Sequence, residues 1–275
     1  MDESQKNINE LELPDSQTDA PSVYAFSLHK AGSTLLFNML MELAPHVGYA
    51  YFSLPDQIFI NGIIPTVELS ETERLFKPTG YLYGGFRFYP TTYTLPNLNS
   101  YKKILLVRNP MDSLVSMYFS GKKSHLIPKK GRLRNILLKR REDVQSQDIE
   151  AFVRGRYQLH IQKMKRYKEI LSQDNLMVYR YEDIIYDKLG FLKSICHFYE
   201  WDIGDGLLQD IVSRYDVFPE TEHQDNHIRQ VHPNNYKKQL SLELQHFVEE
   251  KFAPIMEDFG YKLSSKVANS ALNNK

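Results

Sequence analysis

The sequence predicts an α/β protein, a three-layer α/β/α arrangement around a central, mostly parallel sheet. Three observations point there. Short apolar runs at residues 23–28, 104–107 and 176–179 have the length and composition of buried strands. Between and after them lie longer segments with apolar residues at helical spacing. Strands alternating with helices favour a parallel sheet covered on both faces. The chain has 275 residues, 42% of them hydrophobic, which is enough for one large domain with a substantial core.

Along the chain, residues 1–21 are acidic and polar and read as a disordered tail, residues 22–263 as the folded domain, and residues 264–275 as a flexible end. The first strand begins at Val23. Residues 29–33 form a small-residue turn, and Leu35, Leu36, Met39, Leu40 and Leu43 then mark one helical face. Residues 81–93, with Tyr83, Phe86, Phe88 and Tyr89, read as another strand near the sheet centre. After the strand at 104–107, Asn109 suits a helix cap and Pro110 a first turn, followed by an apolar face of Leu114, Val115, Tyr118 and Phe119. A long helix is expected over 148–171, buried through Phe152, Val153, Ile161, Met164 and Ile170. Further helices are expected at 189–199, 206–215 and 241–259, the last kinked at Pro254.

Lys and Arg together number 34, as do Asp and Glu, so the formal net charge is zero. That balance gives no electrostatic reason to expect a nucleic-acid or anionic-membrane partner. A single cysteine, Cys196, rules out an intrachain disulfide; it lies in an apolar helical run and reads as core filler. The N-terminus lacks the basic and apolar regions of a secretory signal, and no stretch reaches the ~20 apolar residues of a membrane span. A cytoplasmic location is the expectation.

Two strand-to-helix junctions carry chemistry. At the first, Leu28-His29-Lys30-Ala31-Gly32-Ser33-Thr34-Leu35 combines a helix N-terminus, a glycine, two hydroxyls and a lysine. Such a junction favours an anion, because free amides and the helix dipole converge there. It is not the G-x-x-x-x-G-K-[ST] loop, since its lysine precedes the glycine. An ordinary polar turn is the plain alternative. At the second, Arg108 ends a strand, where ligands of open α/β sheets bind, and Ser116 lies two turns into the following helix. An arginine fork and a hydroxyl suit a phosphate. Asp112 and Ser116 share a helix face.

The segment R-N-P-x-D-x-x-V-S-x-Y (Arg108 to Tyr118) resembles the 3′-phosphate signature of sulfotransferases that use 3′-phosphoadenosine 5′-phosphosulfate (PAPS). K-A-G-S-T-L (Lys30 to Leu35) is similar to that family's 5′-phosphosulfate loop. Tyr181-Glu182-Asp183 resembles its Y-E-D segment, whose tyrosine packs near the adenine. His227-Ile228-Arg229-Gln230 through Asn235-Tyr236-Lys237-Lys238 resembles the late R-K-G…W-K segment, without its glycines and with Tyr236 in place of tryptophan.

The resemblance implies a P-loop NTPase-like fold, PAPS as co-substrate without a metal, and a small-molecule acceptor. It implies Lys30 as the catalytic cation and Lys30, Ala31, Gly32, Ser33, Thr34 and Leu35 around the 5′-phosphosulfate. Arg108, Ser116 and Arg229 would hold the 3′-phosphate, and Tyr181 would lie at the adenine. The acceptor's general base is less direct. The cytosolic branch has a histidine in a K-[TS]-H-x-P segment; residues 84–90 here contain none. Other branches use a carboxylate about two dozen residues past the lysine. Asp56 is the first candidate on that count, His29 the second, with His46 and Glu42 behind them. A turn residue after Pro55 is the plain reading of Asp56.

Arg87 replaces the usual base region with a fixed cation, suited either to an anionic group on the acceptor or to a structural ion pair. Residues 121–141 carry nine basic side chains and no acid. They read as a solvated face or as a lid over the nucleotide. His223 and His227 read as solvated polar residues rather than metal ligands. A P-loop nucleotide kinase and a non-catalytic adaptor on the same fold are the rival functions.

Overall fold

A computed structural model describes residues 8–61, 72–124, 127, 132–218 and 231–264. Five parallel strands form one sheet in the order β2-β3-β1-β4-β5. They are β1 (Val23–Ser27), β2 (Ala50–Phe52), β3 (Tyr81–Phe86), β4 (Lys103–Val107) and β5 (Leu176–Arg180). Every residue of β1, β3 and β4 is buried, as expected of central strands covered on both faces. In β5 no residue is fully buried, in keeping with its place at the sheet edge.

The helices are α1 (Ser33–Leu43), α2 (Leu54–Ile60), α3 (Pro110–Phe119), α4 (Arg132–Gln145), α5 (Ile149–Leu171), α6 (Tyr181–Ile184), α7 (Lys188–Tyr199), α8 (Asp205–Tyr215), α9 (Tyr236–Gln239) and α10 (Leu242–Met256). Several begin where the sequence places a cap. Asn109 accepts from the Met111 amide at 2.9 Å, with Pro110 in the first turn of α3. Asp148 caps α5 through the Ala151 amide, and Ser241 caps α10 through Leu244. Each such cap contributes about 1 kcal/mol. Pro254 lies inside α10. Cys196 is buried on α7, and burial pushes its thiol up to about 11, which suits core filler and not a nucleophile.

Three expectations need correction. Residues 8–21 are laid over the domain and not free. Leu11 is buried, Arg74 donates to the carbonyls of Ile8 and Leu11, and the Tyr81 hydroxyl donates to the Pro14 carbonyl. Buried backbone acceptors satisfied in this way hold a polar segment that has few apolar anchors of its own. The strand expected over 81–93 stops at Phe86. The segment between β1 and β3 supplies an edge strand and a helix, β2 and α2, which the periodicity did not show because both are short.

The end of β3 has a feature that aims the chain. Tyr24 pairs with Tyr83 and Phe26 with Phe86, so two residues of β3 oppose one of β1. This bulge falls on Gly84 and Gly85, and Gly85 has a φ of 78°. A Cβ there would run into the Ser53 hydroxyl. A bulge redirects the strand that carries it, and the next residue to emerge is Arg87.

Candidate active site

The loops after β1, β3 and β4 leave the sheet at its carboxyl edge, where open α/β sheets bind ligands. After β1, Lys30 (φ 67°) and Gly32 (φ 93°) both take left-handed conformations. For a lysine this is unusual and needs support from its surroundings. Gly32 is the N-cap of α1 and offers no side chain, which leaves the first-turn amides for a ligand. Ala31 is fully buried and Ser33 nearly so, whereas Thr34 is exposed and Leu35 half-buried.

Gly32 is seated on Tyr181. A Cβ at this position would stand 2.8 Å from the Tyr181 ring. The ring is fixed from two further sides. Its hydroxyl donates to the Val231 carbonyl at 2.7 Å, and the Arg108 guanidinium lies 4.4 Å from its centroid. Burial pushes the Tyr181 hydroxyl up to about 12, so it stays a donor.

Arg108 follows β4 directly and is only 6% exposed. One Nη donates to the Lys30 carbonyl at a long 3.4 Å, and the buried Nε has no partner among the described residues. No acidic side chain of the described residues pairs with it. Burying an uncompensated cation is costly, and an anion bound here would remove that cost. Lys30 is affected by the same surroundings. Desolvation first, then the charges of Arg108 and Arg87, lower its ammonium to about 8. Three cations thus gather on one loop cluster.

Asp112 has a structural job. Fully buried, it accepts from the Asn234 amide at 2.6 Å and the Tyr236 amide at 3.0 Å. Glu182 accepts from the Asn109 amide and from the Tyr261 hydroxyl. The Asp112 contacts and the Tyr181–Val231 bond hold residues 231–236 beside the second junction. Ser116, one turn beyond Asp112, is half-buried. Arg229, and with it His223 and His227, lies outside the described residues.

On the other side of Lys30 is a second group. Asp56, in the first turn of α2, accepts from Arg87 Nη1 at 2.7 Å through Oδ1 and from the Ser53 hydroxyl at 2.8 Å through Oδ2. Asp56 is therefore a first-turn helix residue and not a turn residue, and Arg87 is ion-paired. The Arg87 guanidinium also lies 5.4 Å from the Phe37 ring. The His29 ring lies 5.1 Å from that of Phe88 and tilted by 32°, and Phe88 is 43% exposed. Glu42 is tied to α8 through Arg214 and Tyr215, and His46 is exposed, so neither joins the cluster.

Sequence reasoning missed several neighbours. Tyr186, Phe218 and His232 form a stacked, partly exposed set of rings, with Tyr186 and Phe218 centroids 6.0 Å apart and nearly parallel. These three come from separate segments, so no local pattern joins them. Of the basic run, residues 132–141 belong to α4, Lys122 lies over the Tyr118 ring, and Lys129 and Lys130 lie outside the described residues. No group of His, Cys, Asp or Glu able to hold a metal occurs among the described residues, nor a helix long and apolar enough to cross a membrane.

Comparison with known proteins agrees with this geometry. Mouse sulfotransferase 2A1 is 32% identical over 119 residues, which make up 42% of this chain and 37% of that protein. Rat sulfotransferase 2A2 is 32% identical over 122 residues, with the same coverage. The aligned stretch thus spans little more than a third of these relatives. Mouse sulfotransferase SULT7A1, solved with PAP, superposes with a TM-score of 0.61 at 16% identity, covering 92% of this chain and 89% of its own. Retinol dehydratase, solved with retinol and PAP, gives 0.52 at 15% identity, covering 90% and 85%. At such identities the two structures establish the P-loop-like α/β fold. The Sulfotransferase domain profile matches residues 87–260, well over half of the sequence, and so the chain belongs to the sulfotransferase domain family.

Proposed function

We propose that the chain is a PAPS-dependent sulfotransferase. It would move a sulfuryl group from PAPS to a hydroxyl or amine of a small molecule and release 3′-phosphoadenosine 5′-phosphate (PAP). One observation carries this reading: the buried Arg108, paired with no acid among the described residues, touches the Lys30 carbonyl of the strand–helix loop. Two anion-binding devices at one sheet edge suit a nucleotide with phosphates at both ends of its ribose. The solved relatives hold PAP, and one holds retinol, which supports the donor and a small acceptor.

On this reading the amides and hydroxyls of residues 32–35 hold the 5′-phosphosulfate. Arg108 and Ser116 hold the 3′-phosphate, with Arg229 as a further ligand. Tyr181 packs at the adenine, and the exposed rings of Tyr186 and Phe218 suit stacking of a flat base. Transfer is an in-line displacement in which the acceptor oxygen or nitrogen attacks sulfur and the bridging oxygen leaves with PAP. Positioning and charge stabilisation dominate such reactions. Lys30 neutralises the charge that builds on the bridging oxygen. Asp56, oriented by Arg87 and Ser53, takes the acceptor proton, with His29 as the alternative base.

Calorimetric titration tests the donor site. PAP should bind without metal, much more tightly than AMP or ATP, and the Arg108→Ala variant should lose that preference. Equal affinity for PAP and AMP would overturn the reading.

A further inference from the structure

One face of α5 packs on the end of β3 and the residues after it, and it carries a cation outside the proposed PAPS contacts. Lys163 and Tyr167, one turn apart, meet the segment after β3. The Tyr167 hydroxyl donates to the Phe86 carbonyl at 3.4 Å, and its ring meets Tyr89 edge-on at 5.7 Å. The Lys163 ammonium lies 4.3 Å from the Phe88 centroid. Phe88 in turn meets His29, the residue before Lys30, in a tilted ring contact and remains 43% exposed. An accessible aromatic ring thus sits between the loop of the transfer cation and a part-buried ammonium.

No acidic side chain among the described residues pairs with Lys163. Among the described residues, the charges that act on it are all positive: Arg140 of α4, and Arg156 and Arg166 of α5. Burial and these neighbours lower its ammonium to about 8. Like charges gathered around a half-buried site repel one another, and a bound anion relieves that repulsion. Arg87 plays a different part, because Asp56 already neutralises it.

Resting on the sulfotransferase reading, we infer that the acceptor is an anionic amphiphile: a flat or apolar body that packs against the exposed part of Phe88 and carries a carboxylate, phosphate or sulfate received by Lys163. The ring supplies apolar and π contact to the body. The ammonium supplies a charge-assisted hydrogen bond to the anion. Lys163 is then a specificity residue that touches substrate away from the reacting atoms. It should act on KM more than on kcat.

The test uses the full chain saturated with PAP, whose own binding is measured first. A failure of PAP binding counts against the sulfotransferase reading, whereas the acceptor inference is judged only on PAP-loaded protein. Two matched probe pairs are titrated: a phenolic propionate and its methyl ester, and a fused-ring hydroxy carboxylate and its methyl ester. The acids should bind at least about tenfold more tightly than the esters. Lys163→Gln should abolish the preference, Lys163→Arg should keep it, and both variants should bind PAP as the parent does. Equal binding of acid and ester, absence of binding by either acid, or a preference that survives Lys163→Gln overturns the inference. So does tight binding of a heparin-derived oligosaccharide where the small acids fail, which would make the basic row a polyanion surface.

Discussion

The Gly32–Tyr181 contact allows a quantitative test of how the donor loop is built. In Gly32→Ala the new methyl would stand 2.8 Å from the Tyr181 ring. That is roughly 0.7 Å inside ordinary carbon–carbon contact. The ring cannot simply step back, because its hydroxyl is bonded to the Val231 carbonyl and Arg108 lies against its face. Weakening that hydrogen bond costs about 1 kcal/mol. The left-handed φ of 93° adds about 1–2 kcal/mol for any residue with a Cβ. The sum, about 2–3 kcal/mol, corresponds to a loss of roughly 3–5 °C in melting temperature for a chain of this size. PAP affinity should fall at least about tenfold, since the loop, Tyr181 and Arg108 move together. Thermal denaturation with and without PAP measures both effects. An alanine variant that melts within about 1 °C of the parent and binds PAP normally contradicts the packing argument.

Other expectations concern charge. With the Lys30 ammonium lowered to about 8, kcat/KM should decline as pH rises through that value, because the charged form does the work. Lys30→Arg should remove this alkaline limb, and Lys30→Met should cost about 100- to 1,000-fold in turnover. A pH–rate profile of each variant checks the assignment. Asp56→Asn should lower kcat by about 100-fold or more and leave PAP binding intact; a full loss in His29→Gln with activity kept in Asp56→Asn would move the base to His29. His160 is buried on α5 with neither ring nitrogen partnered among the described residues, and burial lowers it from 6.5 to about 3. The unfolded chain therefore binds a proton that the folded one refuses. Stability from this group is intact above pH 6.5 and falls as pH drops toward 3, by about 1.4 kcal/mol per pH unit. His160→Leu should flatten the acid limb in urea melts at pH 4 to 7.

The fold was legible where elements are long or strongly apolar. Residues 23–28 and 104–107 announce the two central strands, and Asn109-Pro110 marks the start of α3 to the residue. What stayed hidden depends on long-range contact. A three-residue strand such as β2 has too few residues to show a period, and its pairing with β3 is decided by the sheet. Residues 8–21 read as a disordered tail because, Ile8 and Leu11 aside, their anchors are backbone carbonyls, which carry no compositional signal. The strand–helix loop at residues 29–35 was legible as a motif because its lysine, glycine and hydroxyls are adjacent in sequence. The Asp56–Arg87 pair was not, because 31 residues and a bulge at Gly84–Gly85 separate its members.

Asp112 shows how motif reading and structure divide the work. From spacing alone it shares a helix face with Ser116 and invites a role at the ligand. Yet an aspartate beside a 3′-phosphate would repel it. The structure resolves this conflict: both carboxylate oxygens of Asp112 are turned to the amides of Asn234 and Tyr236. Its charge is spent on backbone donors, which leaves Arg108 the dominant field at the junction. The same bonds fix residues 234–236 next to α3, a few positions after Arg229 in sequence. Asp112→Asn should therefore weaken PAP binding without any direct contact. An asparagine presents one acceptor oxygen to two amides, so one bond is lost and the late segment loosens. Because the like-charge repulsion is also removed, an electrostatic role for Asp112 predicts the opposite sign, tighter PAP binding. A titration of this one variant, read against the melting temperature, separates the two.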